Sequence, residues 1–266
     1  MIERRDFLRT AALAPALLGQ EPAPKPAAPF AIGVATYSLR AFDRAKAIAM
    51  LKELRVTVVS VKQVHLPLDQ PAGAKDFADA GIRIASGGVH SLRKEDEAAR
   101  AFEYAKACGM PMLVIDPAPE LLKTVEKLAK EHDIRAAIHN HGPEHRHWRS
   151  AKEPLEAVKD LDPRVGLCID VGHAARAGAD VVAEVAAAGA RLLDMHMKDL
   201  RDLRKPPYCA VGEGAMPVAA ILRELLRIKY AGGVNLEHEI DEKDPLPGMK
   251  VSLAYLRGVV AGLQER

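Results

Sequence analysis

Polar side chains of the kinds that bind metal ions end short apolar segments in the second half of the chain. "RVGLCIDVGH" ends in Asp170 and His173, and "RLLDMHMKDL" places His196 two residues before Lys198. Burying an unpaired carboxylate or imidazole is costly, and a cation that binds several of them removes that cost. Each residue alone is equally well explained as a buried ion pair or a helix cap. Together they indicate a divalent-metal site.

A third segment, "GGVNLEHEI", adds two carboxylates to this set. Side chains of a strand alternate between its two faces, so a strand here places Asn235, Glu237 and Glu239 on one face. The same rule places Asp194 in line with His196. Asp, His and Glu at the ends of three successive strands are unlikely to coincide by accident.

The segment "IHNHGPEHRHW" at 138–148 is the richest in histidine. His139 and His141 share one face of a strand, and Glu144 follows the Gly-Pro pair that ends it. This end of the strand is expected to reach the same site and to contribute one ligand and some substrate contacts. The later residues are expected to form a solvated surface loop: His145, His147 and Trp148.

These polar ends are positioned by a regular alternation of strands and helices. From Ala31 onward, eight apolar runs of strand length alternate with eight amphipathic stretches. This pattern predicts a parallel sheet, and without a second compositional block it favours a (β/α)8 barrel over an open doubly wound sheet. No glycine-rich dinucleotide turn follows the first strand, and "GEG" at 212–214 indicates a turn. The active site of such a barrel lies at the carboxyl ends of its strands.

Composition narrows the classes of partner. The 266 residues carry a net charge of +2 with both signs interspersed, which gives no case for nucleic acid or a membrane surface. The three cysteines are scattered and indicate buried thiols. The expected partners are a small molecule and, in a homo-oligomer, further copies of the same chain.

The N-terminal segment differs from the rest. "MIERRDFLRTAALAPALLG" places the pair Arg4-Arg5 before Phe-Leu and a modest apolar run, in the order of a twin-arginine export signal. The apolar run is too short to span a bilayer, and the Pro/Ala stretch after it is typical of a linker. The alternative is a basic N-terminal helix. We expect residues 1–30 to be signal and linker, residues 31–266 to be the barrel, and the protein to be periplasmic.

The segments "LCIDVGH", "MHMKD", "VGEG" and "NLEHE" on this framework resemble the xylose isomerase-like TIM-barrel superfamily. Within it, the chain is similar to sugar phosphate isomerase/epimerase-type proteins, a group containing D-tagatose 3-epimerase and inosose dehydratase. The resemblance extends from Ala31 to about Leu263 and is specific to the superfamily, not to a substrate.

The resemblance implies one divalent cation, most often Mn²⁺, bound by a Glu, an Asp, a His and a second Glu from separate strands. By position it assigns the Asp to Asp170, the His to His196 and the last Glu to Glu237, with Glu239 as the alternative. Zn²⁺, Mg²⁺ and Co²⁺ suit the same donors.

The fifth strand departs from the epimerase pattern, because His139-Asn140-His141 stands where those enzymes have a metal-binding glutamate. Inosose dehydratase-like members also have a His-x-His there. Either His139 replaces that glutamate as the fourth ligand, or Glu144 reaches back from the loop. Glu144 is the favoured ligand, and it is also the second candidate catalytic carboxylate beside Glu237. The residues expected to contact substrate are His139, His141, His173, Lys198 and Glu239.

An ion of this kind would chelate a carbonyl and a neighbouring hydroxyl and acidify the C–H bond between them. Glu237, Glu144 or a histidine would remove that proton and leave an enediolate. Reprotonation gives a metal-dependent isomerase or epimerase, which is the function predicted here for an unphosphorylated sugar or keto-sugar.

The alternatives are a lyase or dehydratase acting on a keto-sugar or keto-glycoside, a non-catalytic carbohydrate-binding barrel and, more weakly, a metal-dependent endonuclease. Phosphorylated metabolites are scarce outside the cytoplasm, so export favours an unphosphorylated substrate.

Overall fold

Eight parallel strands close into a barrel, as the alternation of strands and helices predicted. The computed structural model describes residues 28–265. Its strands are β1 (Ala31–Ala35), β2 (Val58–Val61), β3 (Arg83–Leu92), β4 (Met112–Pro117), β5 (Arg135–His139), β6 (Val165–Asp170), β7 (Leu192–Met197), β8 (Asp199–Asp202), β9 (Lys205–Cys209) and β10 (Gly233–Leu236). β1 pairs with both β2 and β10, which closes the ring, while β8 and β9 form a separate antiparallel hairpin.

Helices cover the outside of the barrel. They are α1 (Arg44–Glu53), α2 (Ala74–Asp79), α3 (Glu95–Ala107), α4 (Leu122–His132), α5 (Lys152–Val158), α6 (Val171–Arg176), α7 (Val181–Ala188), α8 (Val218–Arg227) and α9 (Leu246–Leu263). Between residues 28 and 265, no helix is long and apolar enough to cross a membrane. The Arg4-Arg5 pair lies outside the described residues.

The apolar core lies between the strands and this outer layer of helices. Its fully buried large side chains come from both layers, as the alternation of strand faces requires: Phe77, Phe102, Leu113, Ile138 and Met195. The three cysteines are unpaired, and two of them, Cys168 and Cys209, are buried.

The barrel interior below the mouth combines a small apolar cluster, which includes Met112, Val114 and Cys168, with a polar group around Asp194. Asp194 accepts hydrogen bonds from Ser86 Oγ at 2.6 Å and from Asn235 Nδ2 at 2.7 Å. Asp194 is fully buried, and an unpaired carboxylate there would be strongly unfavourable. The residues predicted to share strand faces with His196 and Glu237 therefore form a hydrogen-bonded layer beneath them.

Two elements were not predicted from the sequence, namely α6 and the β8–β9 hairpin. Asp199 anchors the hairpin, because its carboxylate accepts the N–H groups of Gly212 at 2.9 Å and Gly214 at 3.1 Å. A Cβ at position 214 would lie 2.1 Å from Asp199 Oδ1, so the close approach requires glycine. The "GEG" segment is thus a turn, as predicted.

Candidate metal centre

The backbone at the end of β6 is held in register by the side chain of Asn140, the residue that directly follows β5. Asn140 Oδ1 accepts the Asp170 N–H at 2.8 Å, and Asn140 Nδ2 donates to the Asp170 carbonyl at 3.0 Å. The amide thus continues the β5–β6 ladder beyond the last backbone pair, His139 with Cys168. On the other side, Asp170 pairs in register with His196 of β7. These pairings bring the ends of β5, β6 and β7 together.

Four side chains converge at the carboxyl ends of four strands: His139, Asp170, His196 and Glu237. Their ligand atoms all lie within 4.8 Å of one another, and the four residues could hold one metal ion. The strand-end placement of the Asp, the His and the last Glu is therefore as predicted. The structure brings His139 into this group and leaves Glu144 outside it.

The spacing within this four-residue cluster fits a small divalent cation. His139 Nε2 lies 3.1 Å from His196 Nδ1, and His196 Nδ1 lies 3.3 Å from Glu237 Oε2. His139 Nε2 is 3.6 Å from Asp170 Oδ2. Ligands bound at about 2.0–2.2 Å stand roughly 2.8–3.6 Å from their neighbours in octahedral or tetrahedral geometry. Two imidazoles and two carboxylates suit Mn²⁺, Zn²⁺, Co²⁺ or Mg²⁺.

The two histidines of the cluster differ in charge. Burial holds the pKa of His139 well below its usual value, so its ring is neutral and keeps a lone pair. Burial also opposes the charged form of His196, but Cys168 and Glu237 outweigh burial and raise the pKa of His196 well above its usual value. A metal ion at His196 would compete with the proton that this raised pKa favours.

Lys198 lies beside the cluster and is almost completely buried. Its Nζ is 3.1 Å from Asp170 Oδ2 and 2.9 Å from Glu237 Oε2, and it also contacts Glu239 Oε1. Burial alone would lower the pKa of Lys198, but these three carboxylates outweigh it and raise the pKa well above its usual value. Conversely, burial would raise the pKa of Asp170 and of Glu237, but the ammonium holds both well below their usual values. Lys198, Asp170 and Glu237 are therefore ionised at neutral pH.

His173 and His141 border the cluster on the side of the mouth. Asp170 Oδ1 accepts the His173 N–H at 2.8 Å and so caps α6 at its first turn. The centroid of the His139 ring lies 6.0 Å from that of His173 and 4.5 Å from that of His141. Both rings are thus near enough to contact a small molecule bound at the cluster.

Glu144, the favoured fourth ligand in the sequence analysis, lies at the rim. Its side chain is 66% exposed and forms an ion pair with Arg176. Gly142, which has a left-handed φ of 90°, begins the turn that places Glu144 beside Arg176. Glu239, the alternative to Glu237, contacts Lys198 and is not one of the four clustered residues.

The end of the histidine-rich segment is more buried than expected for a solvated loop. Trp148 is 3% exposed, and its indole N–H donates to the Pro117 carbonyl at 2.8 Å. The surface-loop prediction was therefore wrong for Trp148, because the loop folds back over the end of β4. Such a tertiary contact leaves no local pattern in the sequence.

His145 closes a second group with Asp116 and His141, but its tautomer disfavours a metal ion there. The Trp148 N–H donates to His145 Nδ1 at 3.0 Å, so the ring proton lies on Nε2. That nitrogen faces Asp116 Oδ1 at 3.3 Å. His145 thus turns an N–H, and not a lone pair, toward Asp116, so the lone pair that a cation requires is not available there.

Lys62 is a further polar residue at the mouth that the sequence analysis missed. It directly follows β2, and its Nζ donates to the Val89 carbonyl at 3.2 Å. Burial lowers its pKa, and Glu237 and Glu239 oppose that effect. Its position after a strand end was the signal that could have identified it.

The eight-stranded barrel, with four side chains that could hold a metal ion at its carboxyl-end mouth, defines the class of protein. The chain belongs to the xylose isomerase-like TIM barrel family, whose model matches residues 74–259. This confirms the resemblance inferred from the sequence motifs.

Relatives within this fold are distant. An inosose dehydratase of Mesomycoplasma hyopneumoniae strain 7448 is 27% identical over 155 residues, which are 51% of this chain and 51% of the relative. The chain thus spans about half the length of the curated relatives it matches.

Solved structures of the same fold cover nearly the whole barrel. A 3-keto-D-glucoside 4-epimerase from E. coli has a TM-score of 0.73 at 15% identity, covering 86% of this chain and 99% of its own. A D-psicose 3-epimerase from Clostridium cellulolyticum H10 has a TM-score of 0.71 at 15% identity, and the match covers 86% of this chain and 98% of the epimerase chain. Identities this low establish the shared fold alone.

Proposed function

We propose that the protein is a divalent-metal-dependent enzyme that removes the proton next to the carbonyl of an unphosphorylated keto-sugar or keto-glycoside and then eliminates a β-substituent. The four-residue cluster and the sugar-converting relatives of the same fold support the general chemistry. The observation that carries the choice of elimination is the exposed position of Glu144, which leaves Glu237 as the carboxylate available for proton transfer.

An ion bound at the cluster would act as a Lewis acid that polarises the substrate carbonyl. The chain's own residues would perform the proton transfers. Asp170 uses Oδ1 to cap α6 and Oδ2 to face Lys198, whereas the contacts of Glu237 with His196 and Lys198 both use Oε2. Glu237 remains to accept the proton from the carbon next to the carbonyl, which leaves an enediolate.

Elimination then requires an acid on the side of the leaving group. The enediolate electrons form the new carbon–carbon double bond while the bond to the β-oxygen breaks. Burial lowers the pKa of both His141 and His173, which border the cluster, so their rings are neutral. Either ring would take up the proton from Glu237 or one from solvent on one nitrogen and pass a proton from the other nitrogen to that oxygen, which releases water or an alcohol. One carboxylate and one imidazole suffice for this sequence, with no oxidant or reductant.

The second candidate is an isomerase or epimerase that uses the same enediolate. The epimerases among the structural neighbours favour it. Epimerisation needs acid–base groups on both faces of the reacting carbon. In this barrel the face opposite Glu237 would have to be served by a histidine, because Glu144 lies at the rim.

Turnover in D₂O separates these functions. Protein loaded with Mn²⁺ is incubated with a 3-keto-glucoside, an inosose and D-tagatose, and products are followed by NMR and by ultraviolet absorbance. Elimination is expected to give a conjugated enone and a free alcohol or water. A stereoisomer with one carbon-bound deuterium and no enone would establish epimerisation instead. Binding of these sugars without deuterium uptake under any metal would establish a non-catalytic binding protein.

We also propose that the protein is exported to the periplasm by the twin-arginine route. The order of Arg4-Arg5, Phe-Leu and the apolar run supports this proposal. Replacement of both arginines by lysine is expected to retain the protein in the cytoplasm, as measured by fractionation of expressing cells. The Arg9→Lys variant is the matched control and should be exported normally. Unchanged recovery of the double variant outside the cytoplasm would show that the motif is accidental.

A further inference from the structure

Lys198 is the buried cation nearest to the four-residue cluster among the described residues. Its side chain is 2% exposed and contacts three carboxylates. Two of them, Asp170 and Glu237, belong to the cluster, and the third, Glu239, stands outside it with 24% of its side chain exposed. Lys198 therefore connects the cluster to the wall of the mouth.

The ammonium group uses the same carboxylate atoms that a metal ion would use. Asp170 Oδ1 is occupied by the His173 N–H, which leaves Oδ2 to face both His139 at 3.6 Å and Lys198 at 3.1 Å. Glu237 Oε2 likewise faces His196 at 3.3 Å and Lys198 at 2.9 Å. A divalent ion at the cluster would thus share its anionic ligands with a fixed positive charge.

Two physical consequences follow from this sharing. Two buried carboxylates close together repel each other and are costly to desolvate, so the ammonium stabilises them when no ion is bound. The same charge repels an incoming cation and withdraws electron density from its ligands. Lys198 therefore stabilises the arrangement of the two carboxylates and lowers the affinity of the site for a metal ion.

We propose that Lys198 is a resident counter-cation that keeps Asp170 and Glu237 assembled without a metal ion and that competes with the ion for their oxygens. Glu239 anchors the ammonium from outside the cluster, so that the ammonium withdraws toward Glu239 when an ion binds. The inference rests on the metal site of the proposed function and assigns to Lys198 a role in setting the affinity of that site. Both residues are positioning residues that act through the shared carboxylates.

Titration with Mn²⁺ alone tests the competition. In isothermal calorimetry, Lys198→Met is expected to bind Mn²⁺ at least tenfold more tightly than the wild-type protein. The metal-free variant should unfold at a temperature lower by about 5 °C or more, and saturating Mn²⁺ should remove that difference. Lys198→Arg keeps the charge and should bind Mn²⁺ with nearly wild-type affinity.

Glu239→Gln should shift the affinity in the opposite direction. Without its outer anchor the ammonium stays on Asp170 and Glu237, and Mn²⁺ should bind several-fold more weakly. If Glu239 acts only through Lys198, it has no effect on Mn²⁺ affinity in the Lys198→Met background. An equal loss in both backgrounds would make Glu239 a direct ligand and overturn the anchoring role.

The other outcomes are also decisive. Weaker Mn²⁺ binding by Lys198→Met would make the lysine a supporting group and contradict the competition, as would failure of the variant to fold in saturating Mn²⁺. Absence of Mn²⁺ binding by the wild-type protein counts against the proposed function. If the wild-type protein does not bind Mn²⁺ but Lys198→Met binds it tightly, the competition between Lys198 and the ion is still upheld.

Discussion

Replacement of Glu237 by Gln is expected to lower turnover of the proposed keto-sugar substrate by at least about a thousandfold. General base catalysis typically contributes about 10²–10⁴-fold, and the other carboxylate of the cluster, Asp170, uses Oδ1 to cap α6. The substitution preserves the size of the side chain but removes the charge that faces His196 and Lys198. It also removes an anionic ligand, so Mn²⁺ affinity should fall at least tenfold.

Steady-state kinetics at saturating Mn²⁺ separates the loss of the base from the loss of the metal. A rate that returns to the wild-type value once the metal site is saturated would contradict a role in proton transfer. Glu242→Gln is the matched control, because Glu242 is 52% exposed and forms an ion pair with Arg40. The control should retain both wild-type turnover and wild-type metal affinity.

Replacement of His139 by Gln is expected to weaken Mn²⁺ binding by well over tenfold, or more than about 1.4 kcal/mol. The imidazole is neutral, buried and 3.1 Å from His196 Nδ1. Glu144→Gln should leave the affinity within about twofold, because its exposed ion pair with Arg176 contributes little. Metal content of both variants after dialysis measures the difference.

The reverse order would show that Glu144 swings from the rim into the ion's coordination shell. In that event the site would hold three carboxylates, and two-base epimerisation would become the better supported reaction. Full occupancy in both variants would remove the fifth strand from the ligands, leaving its histidines as substrate contacts. With His139 as ligand, the ion keeps more residual positive charge, which favours elimination.

The sequence determined the barrel and three of the four clustered side chains. Eight apolar runs of strand length specify eight parallel strands, because a strand covered on both faces by side chains and helices must be apolar along most of its length. Polar residues that interrupt these apolar runs therefore indicate the mouth of the barrel. Asp170, His196 and Glu237 interrupt such runs at their carboxyl ends, where barrel topology brings all strands to one place.

The fourth clustered residue was decided by tertiary structure. In the sequence, Glu144 and His139 both lie close to the end of β5, and Glu144 was favoured because the resemblance implies a glutamate ligand there. The left-handed turn at Gly142 and the ion pair with Arg176 direct Glu144 outward. Arg176 lies 32 residues away on α6, a helix that no apolar pattern predicted.

Trp148 and Lys198 illustrate the same limit. The burial of Trp148 depends on a carbonyl of β4, 31 residues earlier. The triple carboxylate contact of Lys198 requires the ends of β6, β7 and β10 to meet. Periodicity is a property of neighbouring residues and is therefore visible in the sequence. The partner of a buried charge is a property of distant strands brought into register, and only the closed barrel specifies it.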